Sequence, residues 1–275
     1  MADPGAVQFL NVWVDGIGMI GPGFDNWEQG RDLLVGRTPV VAAKTRVPAA
    51  AALPAAERRR AGLAVKAALA VGHQALAATG LSPVDLPTVF ASSGGDSVNC
   101  HEICAALASS DRMISPTRFH NSVHNAPSGY WSIASGAMAT SSVVCAYDGS
   151  FAAGLLEAIT QAVTQSRPVL LLAYDTDYPE PLFASRPIPD TLGVALLVSP
   201  QAGPHSLGRL TLACNAAFTV EAAHTLADPA LERIRAGFPA ARSLALLRTL
   251  ALRQQQQVVI DYLPGLQLAV AVAPC

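Results

Sequence analysis

Short, fully apolar runs alternate with amphipathic stretches along most of this chain. Val7 to Val14 is an apolar run that ends at Asp15-Gly16, the pattern of a buried strand followed by a turn. Gly21-Pro22-Gly23 breaks the backbone, and Asn26 to Val35 then reads as helical. Residues 38 to 56 are rich in Pro and Ala without a period, which predicts an irregular surface loop. Glu57 to Thr79 carries the clearest helical period. Val65, Leu69, Gly72 and Leu76 share one face, Arg59, Lys66 and His73 another, and Gly80 is placed to end the helix.

Thr88 to Ser92 reads as a strand running into Ser93-Gly94-Gly95, and His101 to Ala108 as a short helix. Ser142 to Ala146 is a third strand, with Asp148 as the expected N-cap of a helix from Gly149 to Thr164. Pro168 to Tyr174, Leu192 to Val198 and Leu207 to Ala213 follow as strands. The tail, residues 216 to 275, adds a helical region from Asp228-Pro229, broken near Gly237-Phe238-Pro239, and a hairpin turning at Leu263-Pro264-Gly265. Continuous apolar strands alternating with helices predict an α/β fold with a covered sheet, in a single domain over residues 1 to 275.

Composition narrows the class. The chain has 275 residues, 51% hydrophobic and 14% charged, with net charge −2. That is too apolar for disorder and too poor in positive charge for a nucleic-acid partner. A mean hydropathy of +0.34 raises the question of a membrane. The most apolar long stretch, Ala61 to Leu81, is interrupted by Lys66, His73 and Gln74 and owes its apolarity to alanine, so no span is expected. Met1-Ala-Asp-Pro-Gly lacks the basic start of a secretory signal. The five cysteines (Cys100, Cys104, Cys145, Cys214, Cys275) are odd in number, as for the reduced thiols of a cytoplasmic protein. Low charge without a span points to apolar surface kept for a partner.

Several local motifs offer chemistry. Gly16-Ile-Gly18-Met-Ile-Gly21 matches the dinucleotide fingerprint, but Pro22-Gly23 delays the helix that would hold the pyrophosphate, so no cofactor is expected. Gly95-Asp96-Ser97-Val98 resembles the nucleophile block of GDS-type esterases, although no Asp stands three residues before any histidine. His120-Asn-Ser-Val-His124 has the spacing of a zinc pair on a helix, with Asn121 where a general-base glutamate would stand and no third ligand. A serine or metal hydrolase using Ser97 or the His120/His124 pair is therefore one alternative, with no metal expected as the main reading. Cys100, His101 and Cys104 form a half-site lacking its second pair, so buried small side chains are the expected reading. Arg58-Arg59-Arg60 is a solvated helix face able to attract an acidic partner.

Three blocks in order resemble β-ketoacyl synthases. The first is Asp15-Gly-Ile-Gly-Met-Ile-Gly-Pro22-Gly23, then Trp27, then Leu33-Leu34-Val-Gly36-Arg37. The second is Ala91-Ser-Ser-Gly-Gly95. The third is Ser115-Pro116, Asn125-Ala-Pro-Ser-Gly129 and Gly136, similar to the run that leads into the nucleophile strand; Leu192-Gly-Val-Ala-Leu-Leu-Val198 matches a later strand. Coverage is roughly residues 7 to 215. The resemblance implies a thiolase-like layered α/β fold with a complete N-terminal half and a truncated C-terminal half.

In that register the family's catalytic cysteine falls on Asp148, which cannot carry an acyl group as a thioester. Cys145 is a rival nucleophile, and an active β-ketoacyl-ACP synthase using it is the other alternative. After Val198 the family's histidine-bearing run is missing, and only His205 and His224 remain. The chain thus resembles the short chain-length-factor type that accompanies aryl-polyene ketosynthases. That type implies a non-catalytic subunit paired with a full-length β-ketoacyl-ACP synthase, served by an acyl carrier protein, and shaping the tunnel of a fatty-acid- or polyketide-like pathway. No catalytic residue is then expected. Met113, Phe119, His120 and Asn125 become candidates for the tunnel, Val143 and Cys145 for the strand at the dimer interface, and Phe151 for a plug beside Asp148.

Overall fold

The computed structural model describes residues 8–77, 79–214 and 216–275. Val7, and the Met1 to Gly5 segment on which the missing signal was read, lie outside the described residues. In chain order the elements are β1 (Phe9–Ile20), α1 (Trp27–Leu34), α2 (Ala55–Arg60), α3 (Leu63–Ala77), β2 (Thr88–Ala91), α4 (Ser97–Ala108), α5 (Pro116–His120), α6 (Ala126–Ser135) and β3 (Ser141–Val144). Then come α7 (Ser150–Gln165), β4 (Val169–Asp175), α8 (Leu182–Ser185), β5 (Leu192–Ser199), β6 (Gly208–Ala213), β7 (Phe218–Thr219), α9 (Pro229–Gly237), α10 (Leu244–Ala251), β8 (Gln256–Leu263) and β9 (Leu266–Pro274).

The nine strands form one sheet, in the order β3-β2-β4-β5-β1-β6-β9, with β7 and β8 both paired to β9. β3, β2 and β4 run parallel, and the remaining pairs are antiparallel. Every residue of β4 and β5 is buried, because α3 covers one face of the sheet and α7 the other. This is why those strands are apolar throughout rather than alternating. The architecture is the expected layered α/β fold. The tail does not build a second layered half: β6 to β9 extend the same sheet, and α9 and α10 join its main core.

Gly16 and Gly18 lie inside β1 and open no helix. A Cβ on either would sit 1.9 Å from the carbonyl oxygen of Ala75 or Val71, so these glycines let the backbone of α3 press onto the strand. The dinucleotide geometry is absent for that reason. The helix expected over Glu57 to Thr79 is two helices. Ala61 is extended at φ −62°, ψ 118°, and a Cβ on Gly62 would lie 2.2 Å from an Asp96 carboxylate oxygen. The chain turns there to make room for that side chain. The short helix expected at His101 starts earlier, at Ser97, where Asp96 caps it by accepting from the Asn99 N–H at 3.0 Å.

Between β2 and β3 the chain makes an excursion whose first part, α4 and α5, the rest of the molecule hardly covers, while α6 buries Tyr130 and Trp131 in the core beside α3. α4 buries only Ser97 and Asn99, and α5 buries nothing. Among the described residues no helix is long and apolar enough to cross a membrane.

Candidate functional site

The parallel strands β2, β3 and β4 end on the same side of the sheet, where open α/β sheets place their chemistry. Three turns meet there. Asp175 closes β4, and its fully buried carboxylate accepts from Ser93 N (3.3 Å), Ser93 Oγ (3.0 Å) and Ala240 N (2.6 Å). Burial pushes this carboxyl above the usual range, against the pull of those hydrogen bonds and of the Arg186 charge. Asp175 thereby ties the glycine turn after β2 to the segment that precedes α10.

β3 stops at Val144, so Cys145 stands just beyond the strand. Its exposed Sγ donates to the Ser93 carbonyl at 3.3 Å. Tyr147 to Gly149 then form a single 3-10 turn, with Tyr147 in the left-handed region at φ +52°. The turn is closed by Ser150, whose Oγ accepts from Ala146 N and donates to the Tyr147 carbonyl.

Asp148 is not the N-cap expected of it. The cap position is Gly149, one residue later, and the Asp148 carboxylate turns instead to Arg186 (Nη2 to Oδ1, 2.7 Å). The Tyr147 ring covers that guanidinium at 3.5 Å from its centroid, leaving the Arg186 side chain 15% exposed. Gly149 has no room for a side chain: a Cβ would lie 1.8 Å from the Tyr262 carbonyl oxygen, so the end of β8 is pressed against this turn.

Phe151, expected to plug the site, is wholly buried in the main core under α7. The two histidines that follow β5 lie elsewhere. His224 Nδ1 accepts from the Val259 N–H at 3.0 Å on β8. His205 shares a hollow with Asp15 and Pro168, at the opposite end of β4. His124 comes near the glycine turn, 3.6 Å from where a Gly95 Cβ would sit, and its buried Nε2 has no partner. The zinc-pair spacing fails because α5 ends at His120 and the chain turns before His124. Ser97 is buried and donates to the Asp177 carbonyl at 2.9 Å, which leaves it no base. Among the described residues no group of three or more His, Cys, Asp or Glu could hold a metal ion.

A second feature lies on the excursion. Phe119, His120 and Asn125 line an open groove of about 480 Å³ together with Val123, Tyr130 and Ile133. The His120 and Tyr130 rings meet edge to face at 6.2 Å. Met113 is not among the lining residues and stands 74% exposed, while Val143 is half-buried on the edge strand β3. The candidates therefore divide between this groove and the end of β3. Sequence reasoning missed Asp175 and Arg186. A lone acid closing an apolar strand was a usable signal for the first; Arg186 sits in a Pro-rich stretch with no period to place it.

The family model for the N-terminal domain of β-ketoacyl synthases matches residues 26–260. Among the curated proteins there is no match. Among solved structures, the chain is similar to one in the complex of the ketosynthase ApeO with its chain length factor ApeC from Xenorhabdus doucetiae. Identity there is 23%, with 95% of this chain and 99% of that chain covered and a TM-score of 0.69. A chain in AntDE:AntF, a type II PKS acyl-carrier protein in complex with its ketosynthase, is 13% identical over 96% of this chain and 99% of its own, at a TM-score of 0.70. The ishigamide ketosynthase/chain length factor gives 10%, 96%, 99% and 0.69. At these identities the likeness is one of fold.

Proposed function

This chain belongs to the β-ketoacyl synthase family, and from that premise we propose that it is a non-catalytic, chain-length-factor-like subunit. It pairs with a full-length β-ketoacyl-ACP synthase in the cytoplasm and helps shape the tunnel that holds a growing acyl, polyketide or aryl-polyene chain delivered by an acyl carrier protein. The observation that carries the non-catalytic reading is the Asp148–Arg186 pair under Tyr147. A condensing enzyme needs a thiolate at this turn, activated by a helix N-terminus, to form a thioester. Here the position holds a carboxylate already neutralised by a guanidinium, and neither His205 nor His224 faces it. Cys145 sits before the turn with its thiol directed at the Ser93 carbonyl.

The partner reading is supported by the surface. β3 is an edge strand that pairs with β2 alone, and an open edge invites another chain. Phe119 (68% exposed) and Ile133 (49%) line one open groove, and Met138 (89%) is a further exposed apolar side chain on the segment that leads into β3. Exposed apolar surface of this kind is what a partner covers. The similar solved chains come from complexes whose names pair a ketosynthase with its chain length factor or carrier protein.

Co-expression of a tagged chain with a full-length ketosynthase tests the reading. The expected result is equimolar co-purification and condensation activity that neither subunit shows alone. A stable, monomeric chain that never co-purifies would overturn the partner. Stoichiometric labelling of Cys145 by a thiol-directed acyl analogue, on the chain alone, would overturn the non-catalytic assignment.

A further inference from the structure

We infer that Cys100 and Cys104 form a dithiol site on the outer face of α4 for a soft, two-coordinate metal ion such as copper(I). Both thiols are exposed, and they stand four residues apart on a twelve-residue helix that buries only Ser97 and Asn99. Side chains at this spacing face each other, with their Cβ atoms about 5–6 Å apart.

The same spacing decides what the pair can do. A disulfide needs its Cβ atoms about 3.5–4.5 Å apart, closer than an intact helix turn brings them. Two metal–sulfur bonds of about 2.3 Å, the length found for zinc thiolates, instead span about 4.6 Å, which the pair reaches without unwinding the helix. Ligand number then selects the ion. His101 lies about 100° round the helix from Cys100, and no third ligand joins them among the described residues. A four-coordinate zinc site is incomplete with two sulfurs, whereas thiolates alone suit copper(I). On binding, two S–H bonds are replaced by two S–Cu bonds, two protons pass to solvent, and copper stays in the +1 state.

This inference does not rest on the subunit reading, since it is measured on the full chain alone. Copper(I) is titrated anaerobically against a chromophoric chelator, with native mass spectrometry to count bound ions. The expected result is one copper per chain, with affinity lowered by more than about tenfold in Cys100→Ser and equally in Cys104→Ser, and unchanged in Cys145→Ser. Serine at these exposed positions leaves the fold intact, which far-ultraviolet circular dichroism verifies. A copper count that merely tracks the number of thiols present, or full affinity in either single variant, would overturn the site.

Discussion

Replacing Asp175 probes the joint between the glycine turn, the end of β4 and the tail. The carboxylate is buried and satisfies two backbone N–H groups, on Ser93 and Ala240, and the Ser93 hydroxyl. Asp175→Ala leaves both N–H groups buried without acceptors, at about 1–3 kcal/mol each. Relief of the buried charge offsets part of that, so the expected net loss is about 2–4 kcal/mol. Asp175→Asn keeps the shape, but whichever way the amide is turned its NH₂ meets a backbone N–H, at a cost of about 1–3 kcal/mol.

The pH dependence has a definite sign. Burial holds the folded carboxyl above its unfolded value of about 3.9, so in the interval between the two the native state keeps a proton that the unfolded chain has released. Native stability therefore falls as pH rises through that interval, and the asparagine variant lacks this component. Urea unfolding of both proteins across the acid-to-neutral range measures the difference. Wild type should lead asparagine by most at the acid end, with the gap shrinking as pH rises. A gap that widens with rising pH would mean that the three hydrogen bonds outweigh burial, and would refute the reasoning.

Gly149→Ala should destabilise by about 1–3 kcal/mol or more, read as a lowered Tm, because the new methyl group meets the main-chain carbonyl of Tyr262 and not a movable side chain. Asp148→Asn should cost less than about 1 kcal/mol by the same measurement, since the carboxylate is 47% exposed and its ion pair is screened. Asp148→Cys should acquire a thiol that alkylating reagents label, yet catalyse no condensation in a radiolabelled malonyl assay; measurable turnover would refute the reading that the remaining condensing machinery is missing as well. Phe119→Asp should leave the isolated chain within about 0.5 kcal/mol of wild type and abolish co-purification with the partner, while undiminished pairing would exclude that face.

The strands were legible because the sheet is buried on both sides, which makes β4 and β5 apolar at every position, a signal that survives without an alignment. The tail hairpin was legible because Gly265 occupies the left-handed turn position at φ +74° that few other residues accept. What failed was anything decided by a distant residue. The break at Ala61-Gly62 is imposed by Asp96, which belongs to a different turn. Asp148 has the chemistry of an N-cap, but Arg186 claims its carboxylate from a segment whose sequence carries no period. The family pattern drew attention to Asp148; tertiary contacts decide what its side chain does.

The seat of Tyr262 on Gly149 orders events during synthesis. The edge strand β3 and the helices beside it lie within the first 144 residues, and the sheet strands that support them are complete by Ser199. The turn carrying Asp148 gains its backing only when residues 256–263 have left the ribosome. A single domain folds as a unit, so the turn that carries Asp148 cannot be set before the end of β8 is available to it.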